Sequence, residues 1–209
     1  MRPLAPDLEQ YVRPRDGVFS RRALIGAGAG GALASVPLAR RLFRLGDALG
    51  SPSKAQDAKI LQLVLQLEYT QVAFYSQALA QGSLTGELRD FARAALAHER
   101  QHLAAIRKAL GPKAGPKPSF AFGDKVKSPD AFTRAAIDLE DIAVAGYNGQ
   151  AANLTKGTLA AAAEIVSVEA RHAAWVRAIA GKVAAPKPVD QPLTARQVAS
   201  GLRTIGMRA

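Results

Sequence analysis

His98-Glu99-Arg100-Gln101-His102 and Val168-Glu169-Ala170-Arg171-His172 each set a glutamate three residues before a histidine, and the two pairs lie 70 residues apart. On a helix, residues three apart share a face. The chain has only three histidines, and two of them fall at this offset. Working outward, each pair sits in an apolar stripe stepping by three or four residues: Leu88, Phe91, Ala95, Glu99, His102, Ile106, Leu110 in one, and Leu159, Ala162, Ile165, Val166, Glu169, His172, Val176, Ile179 in the other. Two further segments show the same period, with one glutamate in the middle of each: Leu61, Val64, Leu65, Glu68, Val72, Tyr75, Leu79, and Ala136, Ile137, Glu140, Val144, Tyr147, Ala151, Leu154. Such stripes mark the core-facing sides of four helices.

The punctuation predicts helices over about Ala55–Ala80, stopping at Gly82; from Thr85, an N-cap, to Gly111-Pro112; from Ser128, an N-cap before Pro129, to about Leu154; and from about Thr158 to Ala180, stopping at Gly181. The first and second helices are close in sequence, as are the third and fourth, so each pair forms an antiparallel hairpin. Between the hairpins lie residues 111–127, with Pro112, Pro116 and Pro118, long enough to run the length of the bundle. The segment 182–209 is Pro-rich, with a short helix from Thr194 and no role legible in the sequence. The domain reading is therefore residues 1–34 as a signal, 35–54 as a linker, 55–181 as an all-α four-helix bundle, and 182–209 as a tail.

A carboxylate in a bundle core is unfavourable unless something pairs it. One such glutamate can rotate outward or take a proton. Four of them at one depth, with no lysine or arginine on the stripes beside them, need cations. Two divalent ions supply +4 against −4. The spacing also carries symmetry: Glu68 to Glu99 is 31 residues and Glu140 to Glu169 is 29, so each hairpin offers one lone Glu and one Glu-x-x-His. The candidate metal ligands are Glu68, Glu99, His102, Glu140, Glu169 and His172. Tyr75 and Tyr147 each follow the lone glutamate by seven residues, either as core packing or in a redox or supporting role. His98 reads as a neighbour's partner or a solvent-facing residue.

Composition narrows the chemistry. Cysteine is absent, which excludes disulfides, Fe–S clusters and thiolate zinc sites and leaves His and carboxylate ligands suited to iron, manganese or zinc. Hydrophobic residues make up 48%, and Ala and Leu favour helix. The net charge of +11 is spread over connectors and outer faces, with a small run at Lys113, Lys117, Lys125 and Lys127; this is read as a solvated surface with weak attraction to acidic envelope polymers or lipid headgroups, and no nucleic-acid partner is expected.

Ser20-Arg21-Arg22-Ala23-Leu24-Ile25-Gly26 leads into an apolar Gly/Ala run ending near Leu38, with a small-x-small site at Ala32-Leu33-Ala34. It resembles a twin-arginine signal, which makes the twin-arginine export machinery a partner and the periplasm, cell envelope or exterior the destination. The run is shorter than the roughly 20 residues a bilayer span needs, so cleavage is expected over anchoring and no stable span afterwards. Cutting after Ala34 removes five arginines and three acidic residues, taking +11 to +9.

With these residues in place, the chain resembles the bacterial ferritin-like domain proteins, which include desiccation-related and stress proteins. The segments that carry the likeness are Leu65-Gln66-Leu67-Glu68-Tyr69 with Phe74-Tyr75, His98-Glu99-Arg100-Gln101-His102, Leu139-Glu140 with Gly146-Tyr147, Val168-Glu169-Ala170-Arg171-His172-Ala173, and Phe120-Ala121-Phe122 in the connector. They span about residues 57–181. The resemblance implies a ferritin-like four-helix bundle with one long crossover, and the ligand set used by di-iron and di-manganese carboxylate bundles. It implies two iron ions, or manganese, with His102 and His172 binding one each; which glutamates bridge stays open. The activity it implies is handling of O2, peroxide or a small organic substrate by a di-iron oxidase, peroxidase or manganese catalase-like centre. A ferroxidase or storage subunit and an envelope protein with structural metals are the alternatives, and a homodimer is compatible with each.

Overall fold

The computed structural model describes residues 52–208. The expected export signal, residues 1–34, and nearly all of the linker lie outside them. The described residues form five helices: α1 (Lys54–Gln81), α2 (Gly86–Leu110), α3 (Pro129–Gln150), α4 (Lys156–Ile179) and α5 (Ala195–Ile205). Two short strands, β1 (Ser119–Phe120) and β2 (Met207–Arg208), pair antiparallel, with Ser119 opposite Arg208. Among the described residues no helix is long and apolar enough to cross a membrane.

The first four helices form the expected bundle. α1 pairs with α2 and α3 with α4, while α1 against α3 and α2 against α4 close it. The helix ends follow from the sequence. Ser53 accepts from the Gln56 N–H at 3.1 Å, Ser128 accepts from Ala131, and Gly82 ends α1 at φ 73°, where a side chain would be strained. Thr85 occupies the N-cap of α2, but its side chain makes no capping bond there. α3 ends at Gln150, four residues earlier than its apolar pattern suggests, and Ala151–Asn153 turn as a 3-10 segment. That turn brings the start of α4 onto α1: the Asp57 carboxylate accepts from the Thr155 N–H at 2.9 Å, the Thr155 hydroxyl at 2.5 Å and the Thr158 hydroxyl at 2.7 Å. Burial pushes the Asp57 carboxyl up, and these hydrogen bonds outweigh it, leaving its pKa lowered. An anion there also suits the positive end of α4.

One end of the bundle is filled by aromatics. Phe74 stacks on Phe132 at 5.3 Å, and Tyr75 meets Phe74 and Phe91 edge-on at 5.4 and 5.8 Å. The other end differs from the periodicity-based expectation. On α4, Leu159 is 38% exposed, and Ala162, Ile165 and Val166 are only half-buried; of these, Ala162 and Ile165 border a cavity.

The tail has a structural role that its sequence alone did not show. Thr194 and Gln197 form a reciprocal capping box at the start of α5. Val198, Leu202 and Ile205 are buried in the same core as the bundle. The Ala121 N–H bonds the Gly206 carbonyl at 2.8 Å, so the tail also fixes the crossover. Leu193 approaches α3 closely: its N–H bonds the Ala145 carbonyl at 2.9 Å, and a Cβ on Gly149 would lie 1.9 Å from the Leu193 carbonyl oxygen. Only glycine permits that contact. Gly149→Ala is therefore expected to destabilise the protein by about 2 kcal/mol or more. Urea unfolding gives the loss, and faster amide exchange across residues 194–208 locates it; unchanged exchange there would refute this role.

Candidate metal centre

Glu68 on α1, Glu99 on α2, Glu140 on α3 and Glu169 on α4 are each 0% exposed, and they face one another near the middle of the bundle. His102 and His172 lie one turn beyond Glu99 and Glu169 and turn their Nδ1 atoms inward. His102 Nδ1 is 3.0 Å from Glu99 Oε2, 3.0 Å from Glu169 Oε1 and 3.7 Å from Glu68 Oε2. His172 Nδ1 is 3.0 Å from Glu99 Oε1, 3.5 Å from Glu140 Oε2 and 3.9 Å from Glu169 Oε2. All six residues expected from the sequence thus converge.

They fall into two groups. Glu68, Glu99, His102 and Glu169 form one; Glu99, Glu140, Glu169 and His172 form the other; within each, one atom per residue lies within 4.8 Å of the rest. Glu99 and Glu169 belong to both. The Glu-x-x-His glutamates are therefore common to both groups, and Glu68 and Glu140 belong to one each.

The donor set fits a pair of cations. Glu68 Oε2, Glu99 Oε1, Glu169 Oε1 and His172 Nδ1 are buried with close contacts inside the cluster but no aligned hydrogen bond. Leaving one such atom unpaired is unfavourable by about 1–3 kcal/mol, and more when it is charged. Four of them in one buried cluster are donors that bound cations would satisfy.

The electrostatics follow from the same crowding. Burial raises the Glu68 carboxyl to about 8, with the Glu99 charge adding to it and His102 opposing. Burial and the Glu99 charge hold Glu169 well above the usual carboxylate range. Glu99 is also pushed up by burial, but His102 and His172 beside it bring it down to about 2. Burial opposes charge on both imidazoles, yet the surrounding carboxylates raise His102 to about 12 and His172 to about 10.

Supporting residues complete the site, and they cross between hairpins. The Tyr75 hydroxyl on α1 donates to Glu140 on α3, and the Tyr147 hydroxyl on α3 donates to Glu68 on α1 at 2.5 Å. Burial and these carboxylates push both phenols upward, so they stay protonated donors. His98 Nδ1 lies 2.9 Å from His172 Nε2, making it a partner of the inward-facing imidazole. Gln71 is the residue that sequence reasoning missed. It is fully buried, and its Nε2 donates to Glu169 Oε2 at 2.9 Å and reaches Glu140 Oε2 at 3.5 Å. The signal was available: Gln71 follows Glu68 by three residues on the same face, where the other hairpin has Ala143 after Glu140.

Between α2 and α4 an open pocket of about 450 Å³, lined by His98, Gln101, His102, Arg171, His172 and Trp175, joins the two histidines to the outside.

A comparison with curated proteins found no match. The family model described as the ferritin-like domain matches residues 56–182, which are the four helices and the crossover. On that match, together with the bundle and its buried Glu/His cluster, the chain belongs to the ferritin-like domain family.

Proposed function

We propose that the buried cluster would hold a dinuclear non-haem metal centre, of iron before manganese, for handling O2 or peroxide in an exported oxidation or stress-protection protein. The observation that carries this reading is the sharing of Glu99 and Glu169 by two four-residue groups, each completed by its own histidine and its own outer glutamate. Two redox-active ions so held supply a two-electron couple next to each other. The chain's own residues do the rest. Tyr75, Tyr147 and Gln71 orient three carboxylates, and His98 orients His172. The bundle's apolar layers keep bulk water from the carboxylates, while the pocket between α2 and α4 gives small polar reactants a way in. Export rests on Arg21-Arg22 and the apolar run after them. The basic surface is read as solvated, with no nucleic-acid partner.

Loading the protein with Fe(II) without air and then adding peroxide, or O2 together with ascorbate as the electron donor, tests the reading. Repeated turnover, followed by oxygen electrode or peroxide absorbance, is the expected result. One slow oxidation with iron accumulating on the protein would point to storage instead, and no reaction to a structural centre.

A further inference from the structure

The two ends of the bundle are related by the crossed tyrosines, yet they are filled differently. Behind Tyr75 the space is closed by rings: Phe91 and Phe132 lie 5.8 and 6.0 Å from it. Behind Tyr147 there is a cavity of about 340 Å³. Its lining points at the carboxylates. Val64 precedes Glu68 by one turn, Ile165 precedes Glu169 by one turn, and Ile106 follows His102 by one turn, while Tyr147 lines the cavity and donates to Glu68. The cavity therefore opens to the surface at Ala105, Ala109 and Ala161 and reaches inward to within one helical turn of Glu68, His102 and Glu169, with Tyr147 linking it to Glu68.

Its chemistry is equally one-sided. Leu61, Ala161 and Ala162 continue an aliphatic wall, and Lys54, Thr155 and Thr158 stand at the far end. Gln150, which also lines it, is 3% exposed and has an Oε1 with no hydrogen-bond partner. An apolar cavity of about 150 Å³ already takes up benzene, and ligand pockets begin near 300 Å³. A largely aliphatic wall with a few polar groups, of which Gln150 Oε1 is buried and unpartnered, matches that description.

We propose that this cavity is a binding site for a small apolar organic molecule, such as a bicyclic aromatic or a medium-length alkyl chain with one hydrogen-bond donor, held one helical turn from the carboxylate cluster. That the bound molecule sits beside metal rests on the function proposed above; that it binds does not.

Titration of the full chain with 1-aminonaphthalene, whose emission rises in apolar surroundings, tests this. The wild type is expected to bind one equivalent saturably. Ala162→Phe, which fills the wall, is expected to weaken binding about tenfold or more at unchanged metal content. Ala109→Trp at the exposed rim makes the same comparison if Ala162→Phe does not fold. Absence of saturable binding by the wild type overturns the proposal, and so does wild-type affinity in a folded wall or rim variant. Running the titration with and without Fe(II) separates the two readings. Binding in protein that retains no iron leaves this site standing and removes the metal centre, whereas two bound ions without probe binding do the reverse.

Discussion

Glu99→Gln is expected to release both ions, whereas Glu68→Gln releases one. Glu99 presents Oε2 to the His102 side and Oε1 to the His172 side, each at 3.0 Å. Glutamine has the same shape but only one acceptor oxygen and no charge. The substitution therefore removes a ligand from both groups at once and leaves two divalent ions against three carboxylates, an uncompensated buried charge. Glu68 belongs to one group only. Metal analysis of purified variants should read near zero per chain for Glu99→Gln and near one for Glu68→Gln, against two for the wild type. Affinity for each ion in Glu99→Gln should fall by at least about 100-fold, at the upper end of what supporting residues alone contribute. A Glu99→Gln protein that keeps two ions would remove the bridging assignment and with it the function proposed.

Metal-free protein should lose stability as pH rises from 5 to 8, and metal should reverse the trend. Glu68 titrates near 8 in the fold against an ordinary value of 4.5, so between these values the folded chain holds a proton the unfolded chain has released, and stability declines with pH. Glu169 acts in the same direction. His102 and His172, raised from 6.5 to about 12 and about 10, give stability that is complete below 6.5 and drains away towards those higher values. Glu99, lowered to about 2 from 4.5, adds stability above 4.5 that is lost only as pH falls towards 2, outside this window. The contributions that change across the window agree in sign. Glu68 alone gives a fall of roughly 3 kcal/mol from pH 5 to pH 8, since each tenfold difference in proton affinity between the folded and unfolded chain is worth about 1.4 kcal/mol, so at least that loss is expected in urea unfolding of the chelated protein. With ions present the protons are displaced, so metal-induced stabilisation should grow with pH. A flat or rising curve for the chelated protein would contradict the charge assignment.

The six cluster residues were legible because buried glutamates at helical spacing violate the apolar pattern, and only a shared site explains four at one depth. That Glu99 and Glu169 are shared by both groups was not. Spacing states which face a carboxylate occupies, but not how far it reaches across the bundle. Tyr75 and Tyr147 were visible as same-face residues seven positions from Glu68 and Glu140. Two turns place each about 10 Å along the axis from its own glutamate, so the bond forms to the opposite hairpin instead. Gln71 was overlooked because a single neutral polar residue beside a stripe is ordinary in sequence. The half-buried face of α4 was unpredictable for a related reason: period fixes direction, not the distance to whatever lies opposite. At the tail, Thr194 and Gln197 mark a helix start, yet nothing local tells that Val198 will meet Gly146.

That late contact bears on biosynthesis. α5 seals the outside of α3 and β2 ties down the crossover, so residues synthesised after all four long rods complete their interior. A nascent chain stalled near residue 190 holds every candidate ligand but exposes the apolar flank that Leu202 and Ile205 normally cover. Translation must therefore pass α5 and β2 before that flank is covered.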